Sequence, residues 1–115
     1  MTSTRLTRAF KALRRKQIIA LQNYSCCQSC ALSKLERDLE EGKRDGIGYV
    51  FFHQQEGERK AEGHNFHLYY GKTPGVPFEA KDIASTVVRT LSKFGIRTEW
   101  NGSETEAIKV INEDN

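Results

Sequence analysis

The sequence predicts an α+β fold: an N-terminal helical hairpin followed by a ββαββ unit, a mixed four-stranded sheet with one helix packed on it. Three observations predict it. Two segments near the start repeat apolar residues at helical spacing, two aromatic and β-branched runs follow in the middle, and a well-signalled helix separates these from two further short runs. With 115 residues the chain is long enough for one core and too short for two, so residues 1–115 read as a single domain. No internal repeat and no low-complexity segment interrupts it.

In the first segment Leu6, Ala9, Phe10, Leu13, Ala20 and Leu21 recur at helical spacing behind Ser3 as a cap, which predicts a helix over residues 4–22. Asn23 and Tyr24 break it. Ser25 followed three residues later by Gln28 has the pattern of a capping box, so a second helix is expected from Cys26 to about Gly42, with Leu32, Leu35 and Leu39 as its apolar stripe. At about 100° per residue Cys26 and Cys30 fall opposite that stripe and Cys27 to its flank. The hairpin thus spans residues 4–42.

"GIGYVFFHQQ" predicts a strand over residues 47–53, with Ile47, Tyr49, Phe51 and His53 on one face and Val50 and Phe52 on the other. "FHLYYG" is its expected partner across the polar loop "QQEGERKAEGHN". "KTPGVPF" reads as a loop. A helix is expected over 78–94, with Ile83, Ala84, Val87, Val88, Leu91 and Phe94 on one side, acids Glu79 and Asp82 at its start, and Gly95 as its stop. "IRTEW" and "AIKVI" complete the ββαββ unit over 47–111, the first of them expected parallel to "FHLYYG" through a right-handed crossover. Residues 112–115 read as a tail.

Charge is distributed unevenly. The first sixteen residues hold six cations and no acid, so the remaining chain, within a total of +3, carries −3. Arg8, Lys11, Arg14 and Arg15 on such a helix suggest contact with nucleic acid phosphates or with a protein partner. A solvated helical face explains them more simply, since no aromatic platform or groove-reading motif accompanies them. An arginine-rich start resembles a transit peptide, but an apolar signal-type stretch is lacking and no run is long enough to span a membrane. The chain reads as a mature cytoplasmic protein.

All three cysteines lie within five positions, in "CCQSC". Their odd number excludes the paired framework of small secreted domains. Three explanations compete: free cysteines packing as small apolar residues, a metal site, and a reactive thiol. For a metal, Cys27 and Cys30 have ligand spacing and Cys26 stands at i, i+4 to Cys30; zinc suits such donors and needs a fourth. His53 is the first candidate for it, and His64 and His67 in "HNFH" are alternatives. For chemistry, Cys26 or Cys27 in a helix's first turn would have its thiolate favoured, as in a thiol-dependent enzyme. The usual thiol-redox arrangement, however, has a strand before the motif, and here a helix is expected. His53, Gln54 and Gln55 also form a possible ligand-binding group, or in His53 a base. Tyr69, Tyr70 and Trp100 are most simply sheet packing.

At "YSCCQSC" and "GYVFFHQQEGE" the sequence resembles a family of small bacterial proteins carrying a domain of unknown function. Its features are a CCQxC cluster, a GYVFFHQQ segment followed by an acidic stretch, a tyrosine-rich strand, here "FHLYYG", and a late helix running into "GIRTEWNGS". The likeness covers most of residues 20–111. "EGE" stands where the family pattern leads one to expect "DTE". The resemblance implies that Cys26, Cys27, Cys30, His53, Gln54 and Gln55 act as one group, and it implies no activity.

Overall fold

The computed structural model describes residues 2–112, and for residues 2 and 3 the backbone alone. The proposed Ser3 cap and tail residues 113–115 therefore lie outside the described groups. The elements are α1 (Thr2–Arg15), β1 (Ile18–Leu21), α2 (Gln28–Glu40), β2 (Gly48–Phe51), α3 (Gln54–Ala61), β3 (Phe66–Lys72), α4 (Ala80–Lys93), β4 (Thr98–Glu99) and β5 (Ile108–Val110). They form an α+β fold around a mixed sheet of order β1-β2-β3-β5-β4. The β1–β2 pair is parallel and the other neighbours are antiparallel.

The sheet therefore has five strands rather than four, and a strand divides the expected hairpin. The helix expected over 4–22 ends at Arg15, where Lys16 and Gln17 donate to the carbonyls of Leu13 and Arg14 and Gln17 takes φ 66° to reverse the chain. "IIAL" then runs as β1, with Ile18 and Ala20 facing one layer and Ile19 and Leu21 the other. A strand covered on both faces is an unbroken apolar run, and Ala20 and Leu21 happened to continue the helical spacing of α1.

The second departure is α3, which occupies the expected polar loop. Its eight residues hold only one apolar side chain, Ala61, and the residue it buries is Glu56, so no apolar stripe announces it. A third concerns register. Strands β3 and β4 do run in the same direction, each antiparallel to β5, but β5 lies between them and they are not paired.

Two layers cover the sheet. On one face α1 and α4 pack Leu6, Phe10, Leu13, Ile83, Val87 and Leu91 against Val50, Phe52, Phe66, Leu68, Ile108 and Val110. On the other, α2 brings Ala31 and Leu35, with Leu32 and Leu39 beside them, against Ile19, Tyr24 and Phe51. The alternation expected of β2 holds for Tyr49 and Phe51 against Val50 and Phe52, whereas Ile47, just before the strand, packs on the α1/α4 side. Arg8, Lys11, Arg14 and Arg15 are exposed on the outer side of α1.

Helix α4 matches its sequence signals. The Glu79 N–H donates to Asp82 Oδ2 at 2.9 Å, and Gly95 with φ 77° ends the helix. Tyr70 and Trp100 pack edge to face, and Trp100 Nε1 donates to Tyr70 Oη at 3.0 Å, which ties β3 to the β4–β5 loop. No helix is long and apolar enough to cross a membrane among the described residues.

Gly48 shows how closely α4 approaches β2. A Cβ there would stand 2.6 Å from the Ile83 side chain and 2.8 Å from the Gly71 carbonyl oxygen. Gly48→Ala is expected to lose about 1–3 kcal/mol by overpacking. Urea unfolding checks this, with a lowered midpoint and an unchanged slope; a midpoint equal to that of the wild type would contradict the packing described.

Candidate functional site

The site starts from the parallel pair. The pairing of β1 with β2 continues past the strand ends: Phe52 N–H donates to Leu21 O at 3.3 Å, Tyr24 N–H to Phe52 O at 2.9 Å, and Gln54 N–H to Ser25 O at 2.9 Å. "SCCQSC" and "HQQ" are thereby laid side by side at the carboxyl ends of two parallel strands. In open α/β sheets this is the edge where ligands generally bind. Asn23 at φ 52° and Ser25 at φ 66° both take the left-handed conformation around a buried Tyr24. Such backbone is held only where its surroundings fix it, and it turns the chain sharply before the cysteines.

Ser25 is not the cap of α2. The helix begins at Gln28, and Cys27, extended at φ −156° and ψ 173°, takes the N-cap position without a side-chain capping bond. Of the three cysteines only Cys30 lies inside the helix. Their sulfurs all lie within 4.8 Å of one another, with Cys26 and Cys27 3.9 Å apart. Cys26 and Cys30 are exposed and Cys27 is half-exposed, so the packing explanation is overturned. The apolar face of α2 is filled by Ala31 and Leu35 instead.

Local hydrogen bonding makes the thiols unequal. The Ser29 hydroxyl, 3.5 Å from Cys27 Sγ, is the main cause that holds the Cys27 thiol down at about 6, followed by the Cys30 backbone N–H and the neighbouring thiols. That N–H lies near enough to favour a thiolate, though it falls outside ideal capping geometry. Cys30 moves the other way, to about 11, because its thiol is bonded by Cys26 and then Cys27, and ionising it would place like charges together. Beside Cys30 opens a shallow hollow of about 390 Å³, lined by Ser25, Ser29, Ser33, Lys34 and Arg37.

Across the backbone bridge, His53 caps α3 with its backbone while its ring is buried and stacked on Tyr69, centroids 5.4 Å apart. Its Nδ1 is buried without a hydrogen-bond partner. Gln54 and Gln55 are exposed in the first turn of α3. The chain segments of the expected group thus meet, but His53 is not among the donors clustered with the three sulfurs. His64 is exposed, 3.7 Å from Glu62, and His67 bonds Glu56 Oε1 through Nδ1 at 3.0 Å. Neither joins the sulfurs.

Two residues of this edge escape a sequence reading. Glu56 is only 6 % exposed and is held between His67 and Arg59, whose Nε stands 3.4 Å from Oε2. Tyr69 supports the His53 ring. The i, i+3 relation of Glu56 to Arg59 is the one signal that would have pointed to a helix there.

The sequence profile of one family matches residues 1–114. The chain belongs to the family described as a domain of unknown function, DUF6891. No curated protein and no solved structure matches it. A DUF6891 chain therefore has to be read from its own geometry, and here that geometry singles out the cysteines.

The split between the thiols is directly measurable. In metal-free protein, Cys27 is expected to lose its proton near pH 6. Brief exposure to iodoacetamide at pH 7 should label Cys27 before Cys30, with a rate that halves near pH 6 and levels off above. Ser29→Ala should raise that midpoint, since its hydroxyl is the largest cause of the shift. Peptide mapping that found Cys30 labelled first would reject the assignment.

Proposed function

We propose that this DUF6891 chain is a metal-binding module whose centre is formed by Cys26, Cys27 and Cys30. The observation that carries the reading is the convergence of three sulfurs within 4.8 Å on an exposed turn, where packing has no use for them. Sulfurs bound tetrahedrally at about 2.3 Å from one ion stand about 3.8 Å apart. The 3.9 Å between Cys26 and Cys27 needs little adjustment to meet that spacing. Thiolates select soft and borderline ions, and zinc is compatible with three of them plus a water. His53 would become the fourth ligand only by leaving its stack on Tyr69. Exposed, unpaired thiols also suit a reducing compartment such as the cytoplasm.

A second reading has two observations in its favour. The first is that strand β1, not the expected helix, precedes the cysteines and α2 follows them, as in the usual thiol-redox arrangement. The other is the lowered Cys27, three residues before a raised Cys30 at the start of a helix, which is how a nucleophilic thiol with a resolving partner is arranged. On this reading the chain is a thiol-dependent enzyme.

Metal analysis separates the two. Protein purified without chelator should hold about one thiophilic ion per chain, lost in Cys27→Ser, and loading should raise the melting temperature because the ion binds only the folded turn. Protein that takes up no ion, and whose Cys27 forms mixed disulfides with small disulfides, would replace the metal module with the enzyme.

A further inference from the structure

Resting on the metal reading, we infer that the centre is three-coordinate, built for a monovalent soft ion, cuprous copper, held by Cys26, Cys27 and Cys30 alone. Distances do not decide this. Three sulfurs in a plane at about 2.3 Å from an ion stand about 4.0 Å apart, close to the tetrahedral spacing, and 3.9 Å lies between the two. The choice falls on the fourth donor.

Among the described residues no imidazole or carboxylate joins the three sulfurs. The candidates are engaged elsewhere. The His53 ring is buried on Tyr69, His67 is bonded to Glu56, and Glu56 is itself buried. What lines the hollow beside Cys30 is hydroxyl and cation: Ser25, Ser29 and Ser33, with Lys34 and Arg37. Hydroxyls are poor ligands for a soft ion, and ammonium and guanidinium groups are none.

Charge agrees with this coordination. Three thiolates around a monovalent ion leave a complex of formal charge −2, one unit more negative than the same thiolates around a divalent ion. Lys34, Arg37 and the N-terminal end of α2, within which Cys30 lies, all favour the more negative complex. Cuprous ion is satisfied by three thiolates alone, whereas zinc at this turn would have to complete its four ligands with a water or an imidazole. Loading involves no change of oxidation state: cuprous ion enters as such, and thiol protons leave to the solvent.

The test is an anaerobic titration of the full chain with cuprous ion buffered by bicinchoninate, followed by X-ray absorption of the loaded protein. The wild type is expected to withdraw one equivalent from the chelator, and the copper to show three sulfur neighbours with no nitrogen or oxygen. Cys26→Ser and Cys30→Ser should each surrender the ion at chelator concentrations that leave the wild type loaded, and His53→Ala should keep it. A nitrogen or oxygen neighbour, retention of copper by either serine variant, or release by a folded His53→Ala protein would overturn three-coordination. A parallel titration with zinc tells the two failures apart. Zinc held by the cysteines with His53 or a water as fourth ligand, while copper stays with the chelator, would leave a metal module of ordinary kind and sink only the cuprous inference; uptake of neither ion would sink both.

Discussion

The parallel pairing of β1 with β2 is the constraint on which the rest of the molecule depends. Two parallel strands cannot be joined by a tight turn, so the chain between Leu21 and Gly48 must cross over the sheet, and α2 is that crossover. The crossing gives α2 its buried face, which Ala31 and Leu35 fill against Ile19 and Phe51. It also decides where α2 begins, at the carboxyl edge of β1 beside the equivalent edge of β2. The backbone bonds from Tyr24 and Gln54 fasten that edge, so the cysteine turn is held to the sheet by peptide groups rather than by its own side chains.

That arrangement concentrates unfavourable features at one end of the molecule. Two non-glycine residues in left-handed conformation, a buried imidazole nitrogen without a partner and a buried carboxylate lie within the segments joined there. The left-handed residues and the unpartnered nitrogen are destabilising by themselves, by about 1–3 kcal/mol for strained backbone and a similar amount for an unsatisfied buried group, while the carboxylate is offset by His67 and Arg59. The opposite face, where α1 and α4 pack on the sheet, is apolar and closely fitted down to the contact of Gly48 with Ile83. That layer holds the larger of the two buried apolar clusters, and the carboxyl edge with its thiols is where this scaffold supports a locally strained turn.

Much of this was legible in the residues, and the failures share a cause. Helix α4 was readable because cap, stripe and glycine stop agree, and β2 because aromatic and β-branched residues alternate between two covered faces. β1 was hidden because a strand buried on both sides has no alternation, and its apolar residues extended the rhythm of α1. The helix α3 was hidden for the opposite reason: it has no apolar stripe, and burying Glu56 rather than a leucine is invisible to periodicity. The cysteine cluster was visible as a motif, but its exposure was not, since spacing cannot distinguish a thiol turned to solvent from one turned to the core. The sharp Asn23–Ser25 turn is what decides that.

The guanidinium of Arg14 offers a different view of the basic segment. β1 is one of the two edge strands of the sheet and consists of "IIAL", a short apolar ribbon whose free side is a template for another chain. Arg14 donates through Nε and Nη2 to the Ala20 carbonyl at 3.0 and 2.8 Å, and Lys43 and Arg44 flank the same border. A strand from a second molecule approaching this side meets a carbonyl already occupied, at a border that Asp45 and the Asp38-paired Arg44 also line. Of the cations that first suggest a nucleic-acid surface, Arg14 thus has a further role: it occupies an outward carbonyl of an apolar edge strand, a position where another strand would otherwise pair.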